Sequence, residues 1–422
     1  MILNSAADTA GVPSMRFEPP LHRAALMLTW ALPLLLVAGR GVADTALSLC
    51  AVLFLARSAY AGEWTWLRTG WVRIALALWV YLMASSIWAE NPGQALYRAG
   101  PWIRFPLFAA ALQHWVLTTT AARRTLLRTT GTALALVVVF GFVDLLLDFR
   151  PFVPEPKRLD RLYGPFRDMV VGAFLMKLCF PVLGGMMDWA GAGRNRTRIG
   201  VTVAAALAIG IAILFSGERG ALLLFGAGLL CLLLAPGLRR AMILAAAVFA
   251  ILGAGLITTN DTLRDRVIGD TAKDLGAFWS SPYGAIFATS VAVWWDHPVT
   301  GVGLKNFREV CSDNAYKRFG PRRCAIHPHN PYLEWAAEAG TIGLAGFLAL
   351  IVAWGRRCLP GLRKPDPERL QRIGTVIGCM TFFWPLISSM SVFSNWHAAL
   401  LWLSVGWALA VAPQPVARLR DS

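Results

Sequence analysis

Residues 196–259 read RTRIGVTVAAALAIGIAILFSGERGALLLFGAGLLCLLLAPGLRRAMILAAAVFAILGAGLITT. Three apolar runs, at 198–215, 220–235 and 240–258, are separated only by SGERG and APGLRR. Each run has roughly the length that a helix needs to cross a hydrocarbon core. The arginines stand at the run ends, where long side chains can reach water. Read outward from this segment, further spans fall at 22–39, 42–60, 71–88, 100–117, 125–147, 169–190, 332–354, 373–390 and 396–413. The chain is therefore expected to be an all-α polytopic membrane protein with about twelve transmembrane helices. Residues 1–422 read as a single integral membrane domain without an internal repeat, and 259–330 as one long loop between the ninth and tenth helices. Composition agrees: hydrophobic residues make up 56% of the chain and charged residues 15%, against about a quarter charged in soluble domains. Mean hydropathy is +0.54. Residues 1–21 form a polar, proline-containing lead, and the run after it is long enough to stay as a helix rather than be cleaved.

The net charge of +16 suggests nucleic acid at first sight, but the basic residues sort by connection. With a cytosolic N-terminus, inner connections hold Arg57, Arg68 and Arg73, then Arg123, Arg124 and Arg128, then Arg194, Arg196 and Arg198, then Arg239 and Arg240, then Arg356, Arg357, Arg363, Lys364, Arg369 and Arg372, and finally Arg418 and Arg420. The short outer connections at 40–41, 91–98 and 391–395 hold only Arg40 and Arg98. That is the positive-inside pattern, with both termini cytosolic, so no nucleic-acid partner is implied. Two outer segments break the pattern: DFRPFVPEPKRLDRLYGPFRD at 148–168 and the long loop 259–330. Long loops cross regardless of charge, so these cations have no topological reason to be there.

Three outer elements could carry chemistry. SGERG (216–220) puts Arg219 at the membrane boundary. An arginine at mid-bilayer costs roughly 2.5–3.5 kcal/mol, so Arg219 must face water, a partner or an anion, or snorkel from a helix end. HPHNPYLEWAAEAG (327–340) places Asn330 as N-cap and Pro331 at the first position of a helix. His329 then stands at that helix mouth, where the dipole disfavours imidazolium and leaves a neutral base. Glu334 and Glu338 share one face at i, i+4 spacing. They either serve the site or pair with Arg219 or a loop arginine. KRLDRLYGPFRD (157–168) offers Lys157, Arg158, Arg161 and Arg167, which with Arg264 and Arg266 would form a cationic rim suited to pyrophosphate. Within the loop, 285–295 has helical character, DHPVTGVGLKNF (296–307) reads as a turn, and Cys311 and Cys324 could form a disulfide. His327 and His329 form an H-x-H pair, with His297 upstream, but the loop's acids form no D-x-D pair, so no metal is expected. His22, His114 and His397 carry no signal separable from packing.

SGERGALLL (216–224), WWDHPVTGVGLKNF (294–307) and HPHNPYLEWAAEAGTIGLAG (327–346) occur in that order on one expected face. Together they resemble the O-antigen ligase and O-antigen polymerase superfamily of membrane glycosyltransferases, most of all lipopolysaccharide O-antigen ligase. The resemblance implies a GT-C-like bundle in the bacterial inner membrane, with 259–330 and the active site facing the periplasm. It implies His329, followed by Asn330, as the catalytic histidine, with Arg219 at the hinge and Arg161 in an arginine-x-x-glycine element. His327, Asn330, Glu334 and Glu338 would support them. Relatives carry another arginine where this chain has Ser-Pro-Tyr-Gly-Ala (281–285), so Arg264, Arg266 or Arg167 would supply the second pyrophosphate ligand. The implied donor is a glycan on undecaprenyl pyrophosphate, the acceptor is lipid A–core, and no cofactor is needed. An O-antigen polymerase uses the same chemistry with a lipid-linked acceptor. A protein O-oligosaccharyltransferase stands further off. A transporter or flippase would show repeats and helices broken near the midplane.

Overall fold

A computed structural model describes residues 18–147, 161–167, 169–192, 195–233, 239–363, 365–386 and 388–413. Among these, 81% are helical and none is in a strand. The first half comprises α1 (Glu18–Ala38), α2 (Arg40–Ala61), α3 (Gly70–Ser85), α4 (Pro92–Trp102), α5 (Arg104–Ala111), α6 (Thr120–Leu147), α7 (Val171–Gly191) and α8 (Arg196–Phe215). Next come α9 (Arg219–Leu233), α10 (Arg239–Thr259), α11 (Asp261–Arg264), α12 (Asp270–Gly276), α13 (Pro282–Asp296) and α14 (Phe307–Val310). The chain closes with α15 (Pro331–Cys358), α16 (Arg369–Phe382) and α17 (Asn395–Val411).

Among the described residues, seven helices are long and apolar enough to cross a membrane: Pro19–Ala38, Arg40–Ala61, Gly70–Trp88, Thr120–Leu147, Val171–Gly191, Arg196–Phe215 and Pro331–Arg363. The other expected spans are shorter or bent. The stretch 100–117 divides into α4, α5 and a π-turn at Leu112–Val116, with Pro101 inside α4. Proline removes a helix donor and crowds the preceding turn. Span 373–390 keeps helix only to Phe382, three residues before Pro385, consistent with proline's bias against helix in the residue before it. After α10 the chain turns by 109° into the stretch Asp261–Gly276, and the Asn260 side chain accepts the Leu263 N–H (3.0 Å) to start it. The segment expected as loop thus holds helix through 261–276 and again at α13. Cys311 and Cys324 are joined by a disulfide across 13 residues.

The centre is α7, α16 and α17. Every residue of α17 from Trp396 to Val411 is buried, as its continuous apolar sequence requires. Helices α7 and α16 approach backbone to backbone. A Cβ on Gly184 would stand 2.1 Å from the Leu370 carbonyl oxygen, and one on Gly374 would stand 2.0 Å from that of Phe180. Small residues allow this approach where no water drives helices together. Asp188 of α7 accepts the N–H groups of Leu370 (3.1 Å) and Gln371 (2.8 Å), fixing the start of α16. Cys50 and Cys179 are buried in this interior, whereas Cys231 faces outward.

Helix α15 is interrupted at Gly340 (φ 66°, ψ −170°). The break frees backbone groups, and the turn after α13 takes them up. The Val302 N–H bonds the Ala337 carbonyl (3.0 Å), the Gly303 N–H that of Glu338 (2.9 Å), and the Thr341 N–H that of Pro298 (2.8 Å). The Tyr81 hydroxyl donates to the Ala339 carbonyl (2.7 Å). Gly301 (φ 67°) lies so close that an added Cβ would meet the Glu338 carbonyl carbon at 2.5 Å. Gly301→Ala therefore combines left-handed strain of about 1–2 kcal/mol with a clash against backbone. It should lower stability by at least that amount, read from the denaturation midpoint in detergent. A midpoint unchanged from the parent would mean that the turn does not brace the break.

Candidate active site

The first half of α15, before the break, begins as its sequence dictates. The Asn330 side-chain oxygen accepts the Tyr332 and Leu333 N–H groups (3.0 and 3.2 Å), and Pro331 occupies the first turn. The Asn330 amide also donates to the Pro385 carbonyl (2.6 Å). His329, just ahead of the cap, holds φ 58°, a conformation uncommon for a non-glycine residue and often associated with functional sites. It is pinned from both sides: its carbonyl accepts the Ser389 N–H (2.7 Å), and its N–H donates to His327 Nδ1 (3.1 Å). The two imidazoles lie 4.1 Å apart, edge to face, and Tyr283 presents its ring 6.0 Å from that of His329. Burial lowers the His329 pKa from its usual value, against the opposing pull of Glu334. Burial takes His327 further, to about 4. Both imidazoles are neutral at neutral pH. His327 accepts at Nδ1, so this neutral ring carries its proton on Nε2. With Nδ1 given to backbone, it acts as a support for His329.

Glu334 and Glu338 are buried, at 1% and 0% exposure. Neither pairs with Arg219 or a loop arginine. Their partner is Lys305 of the His-Pro turn. Its Nζ lies 3.5 Å from Glu334 Oε1 and donates to the Ser391 hydroxyl. Its backbone N–H donates to Glu338 Oε2 (2.7 Å), helped by a left-handed φ of 64°. Ser391 and the Val392 N–H (2.8 Å) complete the shell of Glu334. A carboxylate so deep requires such pairing. The sequence shows GLKNF as a turn but not where Lys305 reaches.

The arginines divide. Arg219 pairs with Asp274 of α12 (2.6 Å) and donates to Thr271. Arg161 and Arg266 meet over the hinge: a Cβ at Gly217 (φ 67°) would lie 3.6 Å from Arg161 Nε and 3.5 Å from Arg266 Nη1. Arg264, two residues from Arg266, instead pairs with exposed Asp261 one turn back (2.7 Å), because residues two apart on a helix face different ways. Arg167 is exposed. The expected single rim is therefore a hinge cluster of Arg161 and Arg266 with Arg219 beside it, and Lys157 and Arg158 lie outside the described residues. Arg161 is held by a clamp on its Leu-Tyr-Gly element: buried Asp144 of α6 accepts the Tyr163 and Gly164 N–H groups (3.0 and 3.2 Å).

Three residues passed over in the sequence join the two halves. Glu218, next to Arg219, is half-buried with its Oε2 shielded from solvent, and this desolvation raises its pKa to about 7 despite the pull of Lys177 and Arg161. Lys177 of α7 extends its Nζ over the Phe382 ring (4.4 Å). His397 of α17 packs on the same ring at 5.3 Å and lies within electrostatic reach of Lys177, His327 and Lys305. His397 is fully buried, and neither ring nitrogen has a hydrogen-bond partner among the described residues. Electrostatic neighbours thus link Arg161 and Lys177 to Glu218, and Lys177, His327 and Lys305 to His397. A lysine in the middle of an apolar helix such as α7 was the available signal for Lys177. His397 had none, because a histidine at a helix start is usually packing.

The stretch that carries the hinge, the loop helices, the His-Pro turn and the start of α15 decides the family resemblance. Residues 204–348 match the O-antigen ligase family. This stretch contains Arg219, Arg266, Lys305, His329, Glu334 and Glu338, whereas Arg161, Lys177 and His397 lie outside it. The match to O-antigen ligase suggests a ligase- or polymerase-type activity on lipid-linked glycans, in a multi-pass membrane protein. No curated protein matches the chain.

Proposed function

We propose that the chain is an O-antigen ligase that moves a glycan from undecaprenyl pyrophosphate to lipid A–core. In this reading residues 1–422 form one domain of about twelve spans. Both termini are cytosolic in the bacterial inner membrane, and 259–330 faces the periplasm. The observation that supports it best is the neutral, strained His329 at the α15 mouth, in the same molecule as an arginine cluster over the 216–219 hinge. His329 accepts the proton of an acceptor hydroxyl while that oxygen bonds to the anomeric carbon. The bond from that carbon to the pyrophosphate oxygen breaks, and its electron pair leaves with the phosphate. Arg161, Arg266 and Arg219 stabilise the departing charge, as positioned cations can. Guanidinium groups supply that role without a metal, and one displacement inverts the anomeric centre. Asn330, Glu334, Glu338 and His327 hold the base in place.

The test is transfer by purified protein from undecaprenyl-pyrophosphate glycan to lipid A–core in EDTA. The expected product is glycan-conjugated lipid A–core. Lengthening of the lipid-linked glycan instead would make the protein a polymerase, and flux of glycan lipid without transfer would make it a flippase.

Glu218 gives this reading a pH signature. Below about pH 7 its carboxyl is protonated, so Arg161 and Lys177 act on the donor uncompensated. Above that value its negative charge cancels part of theirs. Donor affinity should therefore weaken as pH rises through 7, and Glu218→Gln should flatten that dependence. The comparison of parent with variant, by binding of a fluorescent polyprenyl pyrophosphate, removes the phosphate's own titration. Identical profiles would exclude Glu218 from the donor site.

A further inference from the structure

A cavity of about 900 Å³ opens between α15, α16 and α17 at the end of α15 remote from His329. Its walls are apolar: Trp354 from α15, Val376 and Met380 from α16, Val405 and Leu409 from α17, and Phe383 at one end. Arg356 and Arg363 also line it. None of His329, Lys305, Glu334 or the hinge arginines borders it. Phe383 packs at a tilt against Phe347, which lies nearer the α15 mouth, and against Trp354, at ring distances of 6.0 and 5.8 Å. The cavity is therefore separate from the candidate active site.

The five neighbouring arginines are not equivalent. Arg357 donates to the carbonyls of Pro413 and Ala412. Arg369 donates to the Leu362 carbonyl, and Arg372 bonds the carbonyls of Val411 and Gly361 and pairs with Asp366. These three guanidinium groups hold the fold together. Arg356 and Arg363 are exposed and have no such partner among the described residues. They are the two that line the cavity. Two unspent guanidinium forks beside an apolar slot between spanning helices match a phosphate joined to an acyl chain. Basic pockets of this kind bind anionic head groups.

We propose that this cavity is a binding site for an anionic glycerophospholipid, with an acyl chain against Trp354 and Leu409 and the head-group phosphate on Arg356 and Arg363. The site is independent of the transfer reaction. It gives the α15–α16–α17 unit, which carries His329 at its other end, a fixed contact with the surrounding leaflet.

The test uses the full chain in nanodiscs of phosphatidylcholine with a trace of phosphatidylglycerol bearing a photoreactive acyl chain. Labelling should map to peptides of α15, α16 and α17 that line the cavity. Each arginine near a charged head group contributes about fivefold, so Arg356→Gln with Arg363→Gln should cut labelling on the order of 25-fold. Arg356→Lys with Arg363→Lys should retain most of it, which separates lost charge from a lost fold. Equal labelling by photoreactive phosphatidylcholine would overturn the proposal by making the contact merely apolar. Displacement by undecaprenyl phosphate but not by unlabelled phosphatidylglycerol would overturn it by giving the cavity to the donor's tail. Undiminished labelling of the glutamine variant would overturn it as well.

Discussion

His329→Ala should lower glycan transfer by about 10²–10⁴-fold and leave the fold and donor binding close to the parent. The ring is half-buried rather than part of the core. The contacts that shape its segment are backbone ones: its carbonyl to Ser389, its N–H to His327, and the Asn330 cap. Alanine keeps the carbonyl and the N–H, so what is lost is the base. Single-turnover rates with bound donor isolate the chemical step from binding. The pH profile gives a second reading. A base must be neutral to act, and burial holds this imidazole's pKa below its ordinary 6.5. Parent activity should therefore persist as pH falls through 6.5 and decline only below it. A variant that kept more than a tenth of the parent rate, or a parent profile breaking at or above 6.5, would remove His329 from the role of base. His327→Ala should cost less, because that ring supports the backbone of His329 and is buried away from an acceptor.

Lys305→Met should destabilise the protein by about 3–5 kcal/mol, the usual cost of leaving one buried charge without its partner. Glu334 is 1% exposed, and Lys305 is the cation against it. Glu338, fully buried one helical turn on, has one carboxyl oxygen without a hydrogen-bond partner. Removing the ammonium leaves two acids facing each other at low dielectric, where like charges repel strongly. Lys305→Met combined with Glu334→Gln should recover much of the loss, since a neutral pair carries little of that penalty. Equilibrium denaturation in mixed micelles measures both. If the single and double variants were equally destabilised, the damage would lie in packing of the lysine stem, and the ion pair would not be what holds α15 to the His-Pro turn.

Much of the site was legible because its signals are local. Asn330 before Pro331 predicts a cap and a helix start, and the structure has both. The glycines at 301 and 303 predict a tight turn, and both have positive φ. The stretch 285–295 reads as helix and lies within α13. The arginine rim was read less well. Sequence places Arg264 and Arg266 equally near the hinge, and only the phase of that helical segment turns Arg266 toward Gly217 and Arg264 toward Asp261. The sequence leaves Glu334 and Glu338 either serving the site or pairing with Arg219 or a loop arginine, and the cation against Glu334 is instead Lys305.

Hydropathy, charge distribution and capping residues determined from the sequence alone that this chain is a helical membrane protein with a histidine at a helix mouth. Each of those depends on transfer free energy or on hydrogen bonds within a few residues. Tertiary structure alone decided that Gly340 breaks α15 and that Lys305 reaches Glu334. It likewise decided that His397 comes within electrostatic reach of Lys177, His327 and Lys305. Those outcomes follow from which helix faces meet and how closely their backbones approach. Pairing between side chains far apart in sequence is settled only once packing has brought them together.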